Sequence, residues 1–241
     1  MNLKYQIVKP QAINDQLRQE MFQLMDFHYA NTFPDDFTRD LYNKSDVILL
    51  FDSKSDELVG FSTQHIFPFK ISGEEILVLF SGDTIIRKEF WGSLQLSIAF
   101  GKLMTDAIND NPDKEFYWML NPKGARTFKF LPVYFIEYYP NHEIPTPERI
   151  KRIIDALGYD LFPKRYDSKH GVIRALPKGQ YLRKEFHQSG LTRNKAINNF
   201  LSLNPGYING DELVCLTRLS YDNIRPFIKK VLIRAFQIKT V

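Results

Sequence analysis

The sequence lacks several features that would assign it to large classes of protein. It has a single cysteine, Cys215, which excludes an intrachain disulfide and fits a reducing compartment. It has no uninterrupted apolar run of the roughly 18 residues that a membrane-spanning helix requires. The opening segment MNLKYQIVKP has no signal-peptide pattern. We therefore expect a cytoplasmic protein.

Signatures of common chemistries are also scarce. The net charge is only +4 and the basic residues are scattered, so a nucleic-acid partner is not expected. The five histidines show no metal-ligand spacing, and one cysteine gives no zinc site, so no metal is expected. The Gly-x-Ser-x-Gly motif of serine hydrolases is missing. Cys215 lies in the apolar run ELVCLTRL, which favours a buried core residue over a nucleophile.

Aromatic residues are abundant, with 20 phenylalanines and 12 tyrosines. Such a composition suits core packing, and it equally suits the lining of an elongated pocket for an apolar ligand. Packing is the favoured interpretation, because aromatic side chains fill cores more often than they line pockets.

The hydrophobic pattern predicts two helices followed by the strands DVILLFDS, ELVGFSTQHIFPFKI and ILVLFSGDTIIR. Short polar turns join these strands, which indicates an antiparallel meander. A helix then follows Gly92, and DKEFYWML is a near-continuous apolar strand, parallel to the strand before the helix. A further helix begins in NPKGARTFKF. The predicted fold class is α/β (α+β), with a mixed, mostly antiparallel sheet flanked by helices.

We predict one compact domain in two parts. Residues 1–138 form its core, and residues 139–241 form a helical and loop-rich C-terminal extension that completes or caps it. The last segment, YDNIRPFIKKVLIRAFQIKTV, is amphipathic and carries basic residues that include Lys229, Lys230 and Lys239. Such a helix can lie on an anionic membrane, but the final helix of the core with a solvated face is favoured.

The stretch IIRKEFWGSLQLS places a Trp-Gly turn between a strand and a helix. Free amides and the dipole at a helix start can bind a pyrophosphate. Together with the order of helix, helix, three antiparallel strands, helix, parallel strand and helix, this stretch resembles the GNAT superfamily of acyl-CoA N-acyltransferases. The family motif is a strand followed by Arg or Gln, two residues, Gly, one residue, and Gly or Ala. Gly92 aligns with the first glycine, Leu94 replaces the second small residue, and Trp91 stands where the family usually has arginine.

The resemblance covers roughly residues 1–138. It implies that an acyl-CoA (acetyl-CoA or a longer thioester), or an acyl carrier protein, enters a V-shaped opening between the strand ending near Ile86 and the strand EFYWML, without a metal. The abundance of aromatic residues suggests an acyl group longer than acetyl. The residues expected to bind the cofactor are Arg87, Lys88, Trp91, Gly92, Ser93, Leu94, Lys123 and Arg126. In the alternative interpretation, Lys123 and Arg126 merely face water.

The resemblance also implies a general base and a general acid near the thioester. Asp83 in SGDT is the candidate base, His65 is the reserve base, Tyr134 is the candidate acid, and Tyr117 is its fallback. Each candidate has a structural alternative. Asp83 could hydrogen-bond to backbone at a bulge next to glycine. His65 could be half-buried with its hydrogen bonds satisfied, and Tyr134 could pack within YFIEYY.

The predicted function is therefore transfer of an acyl group from a thioester to an amine by direct attack. The alternative is a non-catalytic protein of the same fold that binds an acyl group, a small ligand or a protein partner. Leu94 and Trp91 favour the alternative, whereas Gly92 and the nearby basic residues favour the enzyme. The sequence leaves the acceptor amine and the oligomeric state open.

Overall fold

The computed structural model describes residues 2–187 and 192–236. Lys239, predicted on the terminal helix, lies outside these ranges. The strands are Leu3–Val8 (β1), Tyr29–Ala30 (β2), Asp46–Asp52 (β3), Leu58–Ile71 (β4), Glu74–Ile86 (β5), Phe116–Leu120 (β6), Tyr166–Asp167 (β7), Val172–Ile173 (β8), Tyr181–Leu182 (β9), Glu212–Leu213 (β10) and Cys215–Arg218 (β11). The α-helices are Asp15–His28 (α1), Pro34–Tyr42 (α2), Gln95–Asp110 (α3), Ala125–Phe128 (α4), Phe130–Tyr134 (α5), Glu148–Leu161 (α6), Lys195–Leu203 (α7) and Pro226–Phe236 (α8).

The main sheet has the strand order β1-β3-β4-β5-β6-β11. Strands β3, β4 and β5 pair in antiparallel fashion, as the tight polar turns between them predict. Strand β6 follows the crossover helix α3 and pairs with β5 in parallel. The predicted meander and the predicted parallel neighbours are thus both confirmed, and the fold class is a mixed, mostly antiparallel sheet flanked by helices.

Helices cover both faces of this sheet. On one face, Met104 of α3 packs in a core with Leu79 of β5 and Trp118 of β6. On the other face, Phe37 of α2 packs in a core with Ile85 of β5. Helix α6 joins the second face farther along, through a separate cluster. The cover on both faces explains why β6 is apolar without alternation, because every residue of that strand is buried.

A β-bulge interrupts β5. Ser62 of β4 pairs with Thr84, but Gln64 pairs with Ser81, so β5 contains one residue more than β4 between these two pairs. The extra residue reverses the alternation of side chains. Before the bulge, odd-numbered residues such as Leu79 face the α3 core. After the bulge, even-numbered residues face it instead.

The bulge contains Gly82 and Asp83. A Cβ atom on Gly82 would lie 2.5 Å from Thr63 Oγ1 and 3.1 Å from Lys44 Cε, so the close approach of β4 and Lys44 requires glycine. Asp83 follows on the α1–α2 face of the sheet, and Thr84 lies on the α3 face.

Strands β5 and β6 separate beyond the bulge. Their last paired residues are Ser81 and Leu120, yet β5 continues to Ile86. Leu120 is followed instead by Asn121 and a turn into α4. The resulting opening lies where the resemblance places it.

Residues 139–241 contribute to the same sheet through β11, which pairs with the free edge of β6. Cys215 of β11 is fully buried, and burial raises the pKa of its thiol, as expected for a core residue. In α8, Ile228 and Leu232 are buried in the core. No helix in the described ranges is long and apolar enough to cross a membrane. Within the same ranges, no group of three or more His, Cys, Asp or Glu side chains could hold a metal ion.

Candidate functional site

Two cavities meet at the opening between β5 and β6. The first, the cationic cavity, has a volume of about 300 Å³ and is lined by residues that include Gly92, Leu94, Arg126, Lys129 and Tyr134. The second, the mixed-charge cavity, has a volume of about 450 Å³ and is lined by residues that include Lys44, Asp83, Asn121, Lys123, Gln180 and Glu212. Thr84 and Thr127 line both, so these two side chains lie at the boundary between the cavities.

The Trp-Gly turn fixes the start of α3 at the wall of the cationic cavity. Gly92 has φ of +94°, and no atom lies within 4 Å of the position that a Cβ would occupy, so its backbone conformation alone calls for glycine. The indole of Trp91 donates a hydrogen bond of 2.8 Å to the Ile86 carbonyl, and Ser93 Oγ accepts one of 3.3 Å from the Gln95 amide. The first amides of α3 have no partner within the helix and lie at the positive end of its dipole.

Arg126 adds a positive charge to this turn. Its guanidinium lies over the Trp91 ring, 3.4 Å from the ring centroid, and desolvation lowers its pKa. Among the residues that the structure describes, Arg126 and Lys129 form no ion pair, and no acidic side chain lines the cationic cavity. Two unpaired cations beside a helix start are suited to bind an anion such as a phosphate.

The other basic candidates lie elsewhere. Arg87 and Lys88 line a separate groove of about 750 Å³, where Arg87 pairs with Glu57 at 3.4 Å. Lys123 lies in the mixed-charge cavity and pairs with Glu212 at 3.3 Å. The structure therefore brings together, around the cationic cavity, Trp91, Gly92, Ser93, Leu94 and Arg126.

Asp83 lies in the mixed-charge cavity as a partly buried carboxylate. Desolvation is the main cause that raises its pKa to about 6, and the negative charge of Asp40 adds to the effect. The ammonium groups of Lys123 and Lys44 act in the opposite direction. Within the described part of the chain, its carboxylate has no hydrogen-bond or ion-pair partner. A carboxylate in this state can accept a proton near neutral pH.

Two amide side chains of the mixed-charge cavity were not singled out from the sequence. Asn121 Oδ1, Asn121 Nδ2 and Gln180 Nε2 are buried and have no hydrogen-bond partner among the described residues. Buried polar atoms are almost always paired in native proteins. Unpaired atoms on a cavity wall therefore indicate that a polar ligand or water completes them. The only sequence signal was the position of Asn121 directly after a buried strand.

Tyr134 lines the cationic cavity, and its hydroxyl shares a hydrogen bond with Ser97 Oγ. Burial raises the pKa of Tyr134, which keeps the phenol protonated at neutral pH. Tyr117 does not line either cavity, and its hydroxyl accepts a hydrogen bond of 2.9 Å from Arg149.

His65 also lies outside both cavities. Its ring stacks on Phe67 with centroids 5.0 Å apart, and its Nδ1 is 3.1 Å from Ser45 Oγ. Desolvation and the charge of Lys44 lower its pKa. This environment agrees with the structural alternative for His65, a half-buried side chain with a hydrogen-bond partner.

No protein-family model and no curated protein matches this chain. Among solved structures, it is similar to an Enterococcus faecalis protein described as a probable N-acyltransferase, with 13% identity, a TM-score of 0.43, and coverage of 56% of this chain and 33% of that protein. Arabidopsis thaliana NAA60 in complex with acetyl-CoA gives 12% identity, a TM-score of 0.40 and coverage of 57% and 87%. A GCN5-related N-acetyltransferase from Kribbella flavida gives 14% identity, a TM-score of 0.38 and coverage of 56% and 34%.

These similarities are confined to about half of the chain, so the assignment of the fold rests on the chain's own topology. The order of its first helices and strands, and the parallel pairing of β5 with β6, are those that the GNAT resemblance implies. The fold is GNAT-like.

Proposed function

We propose that this protein is an N-acyltransferase that moves an acyl group from an acyl-CoA or acyl-carrier-protein thioester to an amine. One observation carries the proposal. A cavity with cations and a helix start, and a cavity with an unpaired carboxylate whose pKa is about 6, meet at Thr84 and Thr127. An anionic thioester and an amine can therefore approach the same point from two sides.

The cationic cavity is suited to the thioester donor. Its unpaired guanidinium at Arg126 and the amides at the start of α3, which have no partner within the helix, fit the pyrophosphate of coenzyme A. Gly92 leaves open space at the turn, which permits a close approach of phosphate oxygens. When bound, an acyl-CoA supplies an acyl group activated as a thioester, with the coenzyme A thiolate as leaving group.

The mixed-charge cavity is suited to the acceptor. Asp83 takes a proton from the ammonium form of the acceptor, and the free amine then attacks the thioester carbonyl carbon. The new C–N bond forms as the C–S bond breaks, and the nitrogen loses its second proton to solvent as the amide forms. Tyr134, whose phenol stays protonated, donates its proton to the departing thiolate. Both side chains then exchange protons with solvent and return to their starting states.

Leu94 favours a second candidate function, binding without catalysis. Its side chain is 43% exposed at the first position before α3 and lines the cationic cavity, where a smaller residue would leave more room for a phosphate. A non-catalytic protein would bind the acyl group or its carrier but release no thiol.

A titration followed by an assay separates these functions. We expect coenzyme A, acetyl-CoA or a long-chain acyl-CoA at about 100 times its Kd to stabilise the fold by about 2.7 kcal/mol. In a chain of this length the melting temperature then rises by about 5 to 10 °C. Release of free thiol with a panel of amines would identify the enzyme. A thermal shift without thiol release would support the non-catalytic function, and no shift with any thioester or acyl carrier protein would contradict the donor site.

A further inference from the structure

A chain of hydrogen bonds crosses the middle of the sheet and ends at the opening. Trp118 Nε1 donates to Ser81 Oγ at 2.8 Å, and Ser81 Oγ donates to Gln64 Oε1 at 2.6 Å. Gln64 Nε2 donates to Ser62 Oγ at 2.7 Å, and Ser62 Oγ lies 2.7 Å from Thr84 Oγ1. We call the four side chains from Trp118 to Ser62 the relay, with Thr84 as its end.

The relay is buried. The exposed fraction is 5% for Trp118, 4% for Ser81, 1% for Gln64 and 2% for Ser62. Each polar group at such a position has a desolvation cost that its hydrogen bonds only offset, and apolar side chains of similar shape serve stability at least as well. A functional role for Thr84, at the end of the relay, therefore explains these buried polar side chains better than a contribution to stability does.

The relay has a direction at its Trp118 end. The indole N–H of Trp118 can only donate, so Ser81 Oγ accepts from it and donates a hydrogen bond to the Gln64 carbonyl. The Gln64 amide group then donates to Ser62. Between Ser62 and Thr84 either hydroxyl can be the donor, since each has one proton and two lone pairs. In the orientation in which Ser62 donates to Thr84 Oγ1, the hydroxyl proton of Thr84 is left to donate away from the relay.

That proton lies at the meeting point of the cavities. Thr84 lines the cationic cavity, the mixed-charge cavity and a third, small space of about 30 Å³. Tyr134 and Ser97 line the same small space. The bulge is essential here, because it turns Thr84 to the face of the relay while its neighbour Asp83 faces the acceptor side.

We propose that the relay holds Thr84 as a hydrogen-bond donor to the carbonyl oxygen of the bound thioester. This proposal rests on the proposed function. When the amine attacks, negative charge develops on that oxygen, and a donor already fixed in direction stabilises it. Thr84 forms and breaks no covalent bond. The relay members touch no substrate and act as positioning residues for Thr84.

The direct test is infrared spectroscopy of bound acetyl-CoA that carries ¹³C at the thioester carbonyl, in the absence of an acceptor. A hydrogen bond to the carbonyl oxygen lowers its stretching frequency. We expect a lower frequency in the unmodified protein and in Thr84→Ser than in Thr84→Val, which keeps the shape but loses the hydroxyl. Thr105→Val is the matched control. Thr105 Oγ1 is buried without a partner in the described part of the chain and lines none of these cavities.

Kinetics test the same role with an accepted amine. We expect Thr84→Val to lower kcat by about 10²-fold with little change in KM for the thioester, as for removal of one donor to a developing oxyanion. Thr84→Ser should restore most of kcat. Ser62→Ala and Trp118→Phe should lower kcat less, because Thr84 keeps its hydroxyl but loses its fixed direction.

The outcomes separate the two proposals. If the unmodified protein binds no thioester, the proposed function fails and this role for Thr84 fails with it. If Thr84→Val binds acetyl-CoA with an unchanged carbonyl frequency, or keeps full kcat, the role of Thr84 is wrong while the acyltransferase proposal stands. If Thr84→Ser loses as much as Thr84→Val, the hydroxyl is not the donor.

Discussion

The cationic cavity and the mixed-charge cavity share the end of β5, yet they differ in charge. Among described residues, no acid lines the cationic cavity, whose charges are Arg126 and Lys129. The mixed-charge cavity contains four carboxylates and three lysines, namely Asp36, Asp40, Asp83, Glu212, Lys44, Lys123 and Lys178. Most of these carboxylates have a cation nearby, such as Lys44 at 2.8 Å from Asp40.

Two of the groups without an ion pair are informative. Arg126 in one cavity and Asp83 in the other lack ion-pair partners within residues 2–187 and 192–236, although their charges are opposite. Arg126 is exposed, whereas Asp83 is partly buried, and for a partly buried carboxylate stability alone would favour an ion pair or full exposure to water. The two groups lie on different sides of the opening. The guanidinium is therefore available to bind an anionic ligand, and the carboxylate is available to accept a proton from a ligand.

Removal of the Asp83 carboxylate should have the largest effect on activity. We expect Asp83→Asn to lower kcat by about 10²- to 10⁴-fold, because an amide cannot act as the general base. Thioester binding should stay unchanged, since Asp83 faces the other cavity. The measurement is thiol release with an accepted amine, together with calorimetric binding of acyl-CoA.

Two control variants accompany this test. Asp106→Asn removes a carboxylate that pairs with Lys102 on the surface of α3, and it should leave kcat unchanged. His65→Gln should also leave it unchanged, because His65 lines neither cavity. A loss in His65→Gln comparable to that in Asp83→Asn would make His65 the base instead.

A lower pH should reduce the activity that depends on Asp83 in the mixed-charge cavity before it reduces ligand binding in the cationic cavity. The pKa of Asp83 is about 6, and the ionised form is the active base, so kcat should fall about tenfold per pH unit below pH 6. Binding of coenzyme A should change little over the same range, since Arg126 stays charged. In Asp83→Asn the residual rate should lose this dependence, and an unchanged profile in that variant would assign the titration to another group.

Removal of the guanidinium should weaken the cationic cavity alone. A hydrogen bond to a charged group contributes about 1.5 to 3 kcal/mol, so Arg126→Gln should raise the Kd of coenzyme A about tenfold or more. Arg152→Gln makes the same charge change on α6, away from both cavities, and should leave the Kd unchanged. Calorimetry provides the measurement. Equal losses in both variants would indicate a general effect of net charge.

The Trp-Gly turn should give the smallest effect. An alanine at the left-handed φ of Gly92 costs about 1 to 2 kcal/mol in the free energy of unfolding, measured by denaturant titration. Gly73 in the β4–β5 turn has φ of +85° and open space, so Gly73→Ala should cost a similar amount. Only Gly92→Ala should also weaken coenzyme A binding, and a similar loss in Gly73→Ala would show that stability alone is responsible.

The regular part of the fold was predictable from the sequence. The hydrophobic pattern and the polar turns predicted β3 to β5, and an apolar run after a helix predicted β6 as a parallel neighbour. The glycine beside Asp83 marked an irregularity, and the bulge lies there. The apolar run ELVCLTRL forms two strands, β10 and β11, because the residues on either side of Val214 pair with different strands.

The walls of the cavities were less predictable. A short 3₁₀ turn at Lys88–Phe90 follows Arg87, and both Arg87 and Lys88 line a groove away from the cationic cavity, a result that residue spacing does not reveal. Gln180 lines the same cavity as Asp83, although about a hundred residues separate the two in the sequence. No local sequence pattern predicts that they lie on one cavity wall. The relay did have a signal. Ser62, Gln64 and Ser81 are polar residues within predicted strands, and the structure shows that all three are buried.

The single extra residue in β5 also restricts how this protein can change. An insertion or deletion of one residue between Ser81 and Thr84 would exchange the faces of the sheet on which Asp83 and Thr84 lie, while leaving the composition nearly the same. Substitutions can vary either compartment separately, but length changes in this segment would affect both together. Homologous sequences should therefore vary freely in the loops around the opening and keep a constant spacing across these four positions.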